Sequence, residues 1–313
     1  MAKVIVGIHG LANKPAPDVL KDWWDKAIRE GLVKNWDVGS APFTFHMVYW
    51  ANLLYSAHQH HDTDRDFDDL YTGQVYREAE PEALKKYEGG LLDDIKAAFL
   101  GFGGAAFDAL RRLRFAGKLD DRVLYRIKEV RDLGLYYDEN RKIRDREKKL
   151  RPVRQVIMDE LKNALLPLEG QQIMVIAHSM GSIIAYDVLR DIGQEKPAFE
   201  VAHFVTIGSP LGLGTVRKNI YKERAYSPVR LRTPTIVTQR WVNYADRDDL
   251  VAIDKRLADD YGPNDRGIHV EDDLVLNDYT NLSGDKKGQR NAHKSYGYLR
   301  TPELSEHIRD FIR

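Results

Sequence analysis

The stretch VIAHSMGSIIAYDVL, Val175–Leu189, decides how the chain folds. Its apolar start is typical of a buried strand, a small polar cluster follows, and the apolar spacing then changes to that of a helix. A strand that breaks this sharply into a helix would present Ser179 at the turn. Ala177 and Gly181, two residues before and two after the serine, are both small, which such a turn requires for steric reasons. Ser179 is therefore either a reactive nucleophile or a serine that only forms the turn.

Strand and helix patterns alternate on both sides of this stretch. Predicted strands, rich in β-branched and aromatic residues, lie at 4–8, 43–50, 172–177, 203–210, 235–246 and 268–278. Predicted helices lie around 19–32, after Pro152, after Ser179 and after Pro302, because apolar residues recur there at helical spacing. This alternation predicts an α/β fold with a mainly parallel sheet and helices on both of its faces.

The domain organisation follows from the one place where the alternation stops. A length of 313 residues fits a single α/β domain that spans residues 1–313. Residues 51–150 contain no convincing buried strand but several helical patterns, among them those at 81–101 and 120–134. We interpret residues 51–150 as a helical cap that is inserted into the domain.

Composition limits the chemistry and the partners. The chain has no cysteine, which excludes disulfides, thiolate nucleophiles and thiolate metal ligands. Its 48 basic and 48 acidic residues cancel, so the net charge predicts no nucleic-acid binding. The first residues lack a signal-peptide pattern, and the longest strongly apolar stretch, Ala97–Phe107, has 11 residues against the roughly 20 of a membrane-spanning helix. We therefore expect a cytoplasmic protein without a transmembrane segment.

A reactive serine needs a base beside it, and the base works best when a third group orients it. Ten histidines compete for this role, and the favoured position is a loop at the carboxyl end of a strand. His293 has that position, between the last predicted strand and the last helix. His9 is expected to fix the loop after the first strand, and His178, His203 and His307 are expected to pack or to cap.

Three acids follow the predicted strand that ends near residue 246. They are Asp246, Asp248 and Asp249, and all three lie between Ser179 and His293 in the sequence. One of them is expected to orient His293, while the other two form the turn or are solvated.

The negative charge that develops on a carbonyl oxygen under attack needs hydrogen-bond donors. The helix that begins at Met180 would direct free N–H groups and the positive end of its dipole toward that charge. In open α/β sheets, sites form beyond the carboxyl ends of the strands, where the segment HGLANKP places the N–H of Leu11. Gly10 would let this loop approach the serine closely. Leu11 and Met180 are thus the predicted donors of an oxyanion hole.

Five segments resemble, in this order, the α/β-hydrolase superfamily, in particular serine hydrolases of the lipase and esterase type. They are IHGLANKP (8–15), IAHSMGSIIAYDVL (176–189), VTIGSPLGL (205–213), WVNYADRDDLVA (241–252) and NAHKSYGYL (291–299). In related hydrolases the acid often stands two residues before a valine, which maps onto Asp249 and Val251. An alignment with three residues from acid to valine selects Asp248 instead.

The resemblance implies cleavage of a carboxylic ester through an acyl-enzyme, with Ser179, His293 and Asp249 as the catalytic triad. The aromatic and aliphatic content of the cap favours a small-molecule ester with an apolar, lipid-like group. Two other functions fit the same segments. One is a non-catalytic binding or interaction protein that keeps the fold, and the other is an acyltransferase or thioesterase that uses the same site.

We expect neither a metal nor an organic cofactor. The segment SAHQHHDTDRDFDD, residues 56–69, contains ligand types, but their spacing matches neither the zinc motifs nor a calcium loop. The glycines of GFGGAAF, residues 101–107, lack the strand context of a dinucleotide-binding fingerprint.

Overall fold

The structure is a computed structural model that describes residues 2–61, 70, 72–80, 84–87, 131–222, 231–252, 254–282 and 287–313. The helical patterns predicted at 81–101 and 120–134 and the glycine-rich stretch at 101–107 lie wholly or mostly outside these residues. The assignment of residues 51–150 as a cap therefore stays a prediction, as does the single-domain span of 1–313.

Ten strands are present in the described part of the chain. They are β1 (Lys3–Ile8), β2 (Thr44–Val48), β3 (Lys142–Arg144), β4 (Leu150–Pro152), β5 (Gln172–His178), β6 (Val201–Ile207), β7 (Leu231–Arg232), β8 (Val237–Asp246), β9 (Tyr261–Gly262) and β10 (Val270–Val275). Six of these, β1, β2, β5, β6, β8 and β10, correspond to the six predicted strands, and each is confirmed with shifted ends.

Seven α-helices are described between and after these strands. They are α1 (Pro17–Trp36), α2 (Arg131–Tyr137), α3 (Val153–Leu165), α4 (Met180–Glu195), α5 (Gly214–Lys222), α6 (Ser295–Leu299) and α7 (Pro302–Ile312). The predicted helices correspond to α1, α3, α4 and α7. Pro152 caps α3, and Pro302 begins α7 after the Thr301 cap, as a first-turn proline should.

The six long strands form one parallel sheet in the order β10-β8-β6-β5-β1-β2. The chain leaves β1 toward β2 on one side and later returns to place β5 on the other side of β1. This reversal makes the carboxyl ends of β1 and β5 the topological switch point, where open α/β sheets form their binding crevice. The loop that begins at His9, after β1, and Ser179, after β5, both lie at this switch point.

Helices cover both faces of the sheet, which is why its central strands are almost wholly apolar. Helices α3 and α4 pack on one face against the β1 residues Val4, Val6 and Ile8. Helices α1, α6 and α7 pack on the other face against Ile5 and its neighbours. Strand β6 is buried along its whole length. The α/β architecture with a parallel sheet and two helical layers is the predicted one.

Several short elements were not predicted. The antiparallel pair β3–β4 lies at the end of the range 51–150 and extends to Pro152, and β7 and β9 form a separate pair of two residues each. Helices α5 and α6 were also missed. Pairings of two or three residues depend on tertiary contacts and leave no periodic pattern in the sequence.

A buried ion-pair network attaches residues 72–80 to the main sheet domain. Arg300 binds Glu30 at 3.0 Å and Asp278 at 2.8 Å, and all three side chains are almost fully buried. Glu30 also accepts a hydrogen bond of 2.6 Å from the backbone N–H of Ala79. Residues 72–80, a described part of the predicted cap, are therefore held by α1 and by the segment that precedes α7.

The predicted packing role of His203 and His307 is confirmed, and the two rings form a hydrogen-bonded chain. The Nε2–H of His203 donates to Gln239 Oε1 at 2.9 Å, so its Nδ1 accepts from His307 Nε2 at 2.7 Å. The Nδ1 of His307 then accepts from the Tyr244 hydroxyl at 3.1 Å. The chain is fully satisfied only when both rings are neutral, because an added proton would bring two donors face to face.

This pair should make the protein sensitive to acid. Burial, together with the neighbouring His203, lowers the pKa of His307 to about 3, and burial also lowers the pKa of His203. Below about pH 6.5 the unfolded chain therefore binds protons that the folded chain does not. The free energy of unfolding consequently decreases as the pH is lowered. We expect a slope of up to about 1.4 kcal/mol per pH unit for each histidine. Urea unfolding at a series of pH values measures it.

The variant His307→Gln should flatten this slope between about pH 6.5 and pH 4, because it removes one of the two protonation sites. His46 lies exposed on β2, so His46→Gln should leave the slope of the wild type. Equal slopes for wild type and His307→Gln would contradict the assignment.

Candidate active site

Ser179 occupies a strained turn between β5 and α4. Its backbone has φ 54° and ψ −129°, a region that residues with a side chain rarely adopt. The turn is held by hydrogen bonds on both sides of the serine. Its N–H donates to the Ile207 carbonyl at 3.1 Å, and its carbonyl accepts from the Ser182 N–H at 2.9 Å and the Ser182 hydroxyl at 2.6 Å. The surrounding strands and helix thus impose the conformation that directs the serine side chain.

The small residues around the serine are required by close contacts. A Cβ added to Gly181 would lie 2.7 Å from the carbonyl oxygens of both Ile8 and His9. A Cβ added to Gly10 would lie 2.6 Å from the Cβ of Ser179. The loop after β1 therefore lies directly against the serine, at the distance that only glycine allows.

The structure brings Ser179, His293 and Asp249 into one hydrogen-bonded chain. His293 Nε2 lies 3.0 Å from Ser179 Oγ, and His293 Nδ1 lies 2.8 Å from Asp249 Oδ2. A carboxylate can only accept, so Nδ1 carries the proton of the neutral ring and Nε2 is the acceptor that faces the serine hydroxyl. This tautomer is the one in which imidazole can take a proton from the serine.

Asp249 is a buried carboxylate with four donors. Its Oδ1 accepts from the backbone N–H groups of Val251 at 2.8 Å and Ala252 at 3.3 Å, and its Oδ2 accepts from His293 and from the Tyr298 hydroxyl at 2.7 Å. Burial alone would raise the pKa of Asp249, but the electrostatic interaction with His293 and these hydrogen bonds outweigh burial and lower the pKa below its ordinary value. Asp249 is therefore ionised at neutral pH.

The two alternative acids are directed away from His293. Asp246 Oδ2 accepts from Arg290 at 2.6 Å and from the Asn277 N–H at 2.7 Å, and Asp248 forms a close ion pair with the same Arg290. Burial raises the pKa of Asp246 although Arg290 opposes the shift. Of the three predicted acids, the structure places only Asp249 against the histidine.

Gly208 packs against the hydrogen bond between the acid and the histidine. It has φ 55°, and an added Cβ would lie 2.8 Å from Asp249 Oδ2 and 3.0 Å from His293 Nδ1. The segment 205–213 is one of the five that carry the resemblance, but Gly208 within it was not singled out from the sequence. A glycine directly after a buried strand was the available signal, because strand ends with positive φ favour glycine.

His178 was predicted to pack or to cap, and in the structure it also binds the backbone of His293. Its Nε2 lies 2.7 Å from the carbonyl oxygen of His293, and the two rings are 4.8 Å apart. Burial and the nearby His293 lower the pKa of His178 well below its ordinary value, so the ring stays neutral and donates to that carbonyl. His178 thus fixes the backbone that carries His293.

His9 fixes the loop after β1, as predicted. Its Nδ1–H donates to the Gly10 carbonyl at 2.8 Å, and its Nε2 accepts from the Trp50 N–H at 3.1 Å. The Trp50 indole donates back to the His9 carbonyl at 3.0 Å. Burial, and then the charge of Lys14, lower the pKa of His9 well below its ordinary value, so the neutral tautomer that this network needs is maintained.

The predicted oxyanion donors lie on the two segments that meet at Ser179. Met180 is the buried first residue of α4, where N–H groups have no partner within the helix. Leu11 is half-buried in the loop next to Gly10. The following residue, Ala12, has φ 68°, and its N–H donates to Asp132 Oδ2 at 2.8 Å. Asp132 is buried at the start of α2 and was not singled out from the sequence.

Within the described residues, no group of three or more metal-binding side chains is close enough to hold an ion. His58 Nδ1 instead lies 2.9 Å from the Tyr49 hydroxyl, and the His61 ring packs edge-on against Trp23. Residues 62–69 of the candidate metal segment lie outside the described residues. No helix in the described part of the chain is long and apolar enough to span a bilayer.

The sequence and the structure were compared with those of known proteins. The sequence matches no protein-family model and no curated protein. The structure is similar to a protein described as "putative cell surface hydrolase" from Lactobacillus plantarum WCFS1, with a TM-score of 0.39 and 12% identity over 100% of this chain and 91% of that chain. It is also similar to a PytH variant, with a TM-score of 0.32 and 10% identity over 100% of this chain and 98% of that chain. With its parallel sheet and its serine at the β5–α4 turn, the chain has the predicted α/β-hydrolase fold.

The variant Gly208→Ala should break the contact between His293 and Asp249, because its methyl group would overlap both atoms of their hydrogen bond. We expect the downfield proton NMR signal of His293 Nδ1–H to disappear or move upfield, and the free energy of unfolding to fall by about 1–3 kcal/mol. Gly170→Ala is the matched control, since Gly170 also has positive φ, 80°, but open space around it. An unchanged signal in Gly208→Ala would contradict the role given to Gly208.

Proposed function

We propose that the protein is a serine hydrolase that cleaves a carboxylic ester through an acyl-enzyme. The observation that carries this proposal is the continuous chain from Ser179 Oγ to His293, at 3.0 Å, and from His293 to the ionised Asp249, at 2.8 Å. A nucleophile, a base in the correct tautomer and a buried group that orients the base are the parts that acyl transfer needs.

In the first half-reaction Ser179 Oγ attacks the ester carbonyl carbon while its proton passes to His293 Nε2. The resulting oxyanion is stabilised by the N–H groups of Met180 and Leu11, supported by the positive end of the α4 dipole. When the tetrahedral intermediate collapses, the bond to the alkoxide oxygen breaks and His293 protonates the leaving alcohol. The product on the enzyme is an ester of Ser179.

In the second half-reaction water replaces the alcohol. His293 Nε2 takes a proton from the water as its oxygen attacks the acyl carbon, and the same proton returns to Ser179 Oγ when the carboxylic acid leaves. Asp249 stays ionised throughout and stabilises the imidazolium that forms in each half-reaction. No further reactant is needed.

For the substrate we propose a small-molecule ester with an apolar, lipid-like acyl group. The support is the aromatic and aliphatic content of residues 51–150, which we propose to be a cap over the site, and this support comes from the sequence. A series of p-nitrophenyl esters of increasing chain length tests it. We expect kcat/KM to rise with chain length, and a flat profile would remove the lipid-like group from the proposal.

Replacing the proposed nucleophile should abolish turnover. We expect Ser179→Ala to lower kcat by at least about 10,000-fold, because the acyl-enzyme can no longer form. A fluorophosphonate probe should label wild type at Ser179 and leave Ser179→Ala unlabelled, as mass spectrometry of the peptide will show. Ser40→Ala, on an exposed loop, is the control for handling and folding.

Two outcomes would contradict the proposal. A wild type that neither reacts with the probe nor hydrolyses esters would favour the alternative function of a non-catalytic binding protein. A Ser179→Ala variant as active as wild type would exclude Ser179 as the nucleophile.

The three acids should differ sharply in their contribution to kcat. Asp249→Asn should lower kcat by about 10,000-fold, because an amide facing Nδ1 stabilises the wrong tautomer of His293. Asp248→Asn should change kcat only within about 3-fold, since Asp248 pairs with the partly exposed Arg290. Asp246→Asn should mainly destabilise the fold, because it leaves Arg290 with a weakened buried partner. A loss of activity confined to Asp246→Asn would show that the acid is wrongly assigned.

A further inference from the structure

We infer that Tyr298 is a positioning residue for the site: its buried hydroxyl fixes the Asp249 carboxylate and limits how strongly that carboxylate holds the proton on His293. The inference rests on the proposed function, which gives Asp249 and His293 their roles. Tyr298 lies on α6, in the same segment of the chain that carries His293. Its hydroxyl contacts the Asp249 carboxylate and the Asp246 backbone, so we infer that it acts on His293 through Asp249.

The direction of its hydrogen bonds follows from a count of protons. The Tyr298 hydroxyl lies 2.7 Å from Asp249 Oδ2 and 2.8 Å from the backbone nitrogen of Asp246. The backbone N–H can only donate, so the hydroxyl oxygen accepts from Asp246. The single hydroxyl proton is then committed to Asp249. Burial and the charge of Asp249 raise the pKa of Tyr298 well above its ordinary value, so the donor keeps its proton at neutral pH.

This arrangement gives the hydroxyl a mechanical role. The N–H of Asp246 and the carboxylate of Asp249 stand at the two ends of one turn, which is closed by the Asp249 N–H donating to the Asp246 carbonyl at 3.2 Å. The Tyr298 hydroxyl bridges both ends from the opposite side. Since the ring is 0% exposed, it has no freedom to leave this position. The carboxylate is thereby held with its Oδ2 against His293.

The hydroxyl also has an electrostatic role. Oδ2 accepts simultaneously from Tyr298 at 2.7 Å and from His293 at 2.8 Å, so the two donors share the charge of one oxygen. Hydrogen bonds to an ionised carboxylate are among the stronger ones in proteins. Without the hydroxyl, more of the charge on Oδ2 would be directed at His293, and protonated imidazole would be held more tightly. A base that keeps its proton is a poorer catalyst at low pH.

Tyr298→Phe is the direct test, because it removes the hydroxyl and retains the buried ring. We expect kcat on an activated aryl ester to fall about 10-fold with KM within about 2-fold, and the low-pH limb of kcat/KM to move to higher pH. Tyr261→Phe is the matched control, since its buried hydroxyl also donates one hydrogen bond, of 2.9 Å, to a backbone carbonyl, that of Leu211. Thermal unfolding of both variants measures the loss of stability that each deletion causes.

A double-mutant cycle separates positioning from general loss of packing. In an Asp249→Asn background, Tyr298→Phe should change kcat by less than about 2-fold, because the group through which Tyr298 acts is already disabled. Additive losses in the double variant, or a low-pH limb that stays in place in Tyr298→Phe, would overturn the inference.

Failure of the inference and failure of the proposed function give different results. If the probe labels Ser179 but Tyr298→Phe behaves like Tyr261→Phe, only the inference fails. If wild type is neither labelled nor active, the proposed function fails, and the NMR signal of His293 Nδ1–H still tests the positioning. That signal should move in Tyr298→Phe and not in Tyr261→Phe, and an unmoved signal in Tyr298→Phe would reject the role of the hydroxyl.

Discussion

The backbone conformation of Ser179 is the constraint on which the site depends. A φ of 54° at a residue with a side chain costs free energy, and it persists only because the surrounding elements over-determine it. Strand β5 is paired on both sides, and α4 begins at the next residue. The conformation then dictates the neighbours. Gly181 must pass under the carbonyls of Ile8 and His9, and Gly10 must approach the serine without a Cβ.

A second constraint is electrostatic, since the site has to keep one acid charged and two histidines neutral within a buried region. Asp249 is kept ionised by His293 and by a full set of donors, although burial opposes the charge. The hydrogen bonds of His9 and His178 go to backbone groups that a neutral ring satisfies, and burial lowers the pKa of both. The charge of Asp249 lies against His293, where the proposed mechanism uses it to stabilise imidazolium.

Local patterns predicted the strands, the main helices and the turn serine, because a buried strand followed by a helix leaves an unambiguous change of apolar spacing. His293 could be selected because its loop follows the last strand. Spacing alone could not select the acid among Asp246, Asp248 and Asp249, since all three stand within one turn. In the structure Arg290 binds Asp246 and Asp248, and Asp249 is left to His293. The resemblance favoured Asp249, and the geometry agrees with that choice.

Tyr298, Gly208 and Asp132 escaped prediction for a common reason, which is that each acts on a residue distant in sequence. The Tyr298 hydroxyl meets Asp249 across 49 residues, and Asp132 meets Ala12 across 120 residues. No periodicity encodes such contacts. A tyrosine in an apolar helix is indistinguishable, in sequence, from one that only fills the core.

The contact between Asp132 and Ala12 links the predicted cap to the loop beside the serine. Asp132 lies within residues 51–150, and Tyr55, near the other end of the same range, donates its hydroxyl to Asp132 at 2.9 Å. An early residue and a late residue of the predicted insertion thus meet at one buried carboxylate, which also accepts the N–H of Ala12, whose own φ is 68°. This hydrogen bond stabilises the strained loop, because an N–H that is withdrawn from water and has no partner costs free energy. Asp132 thus holds the residue that directly follows Leu11, so the predicted insertion helps to position the loop that carries this proposed oxyanion donor.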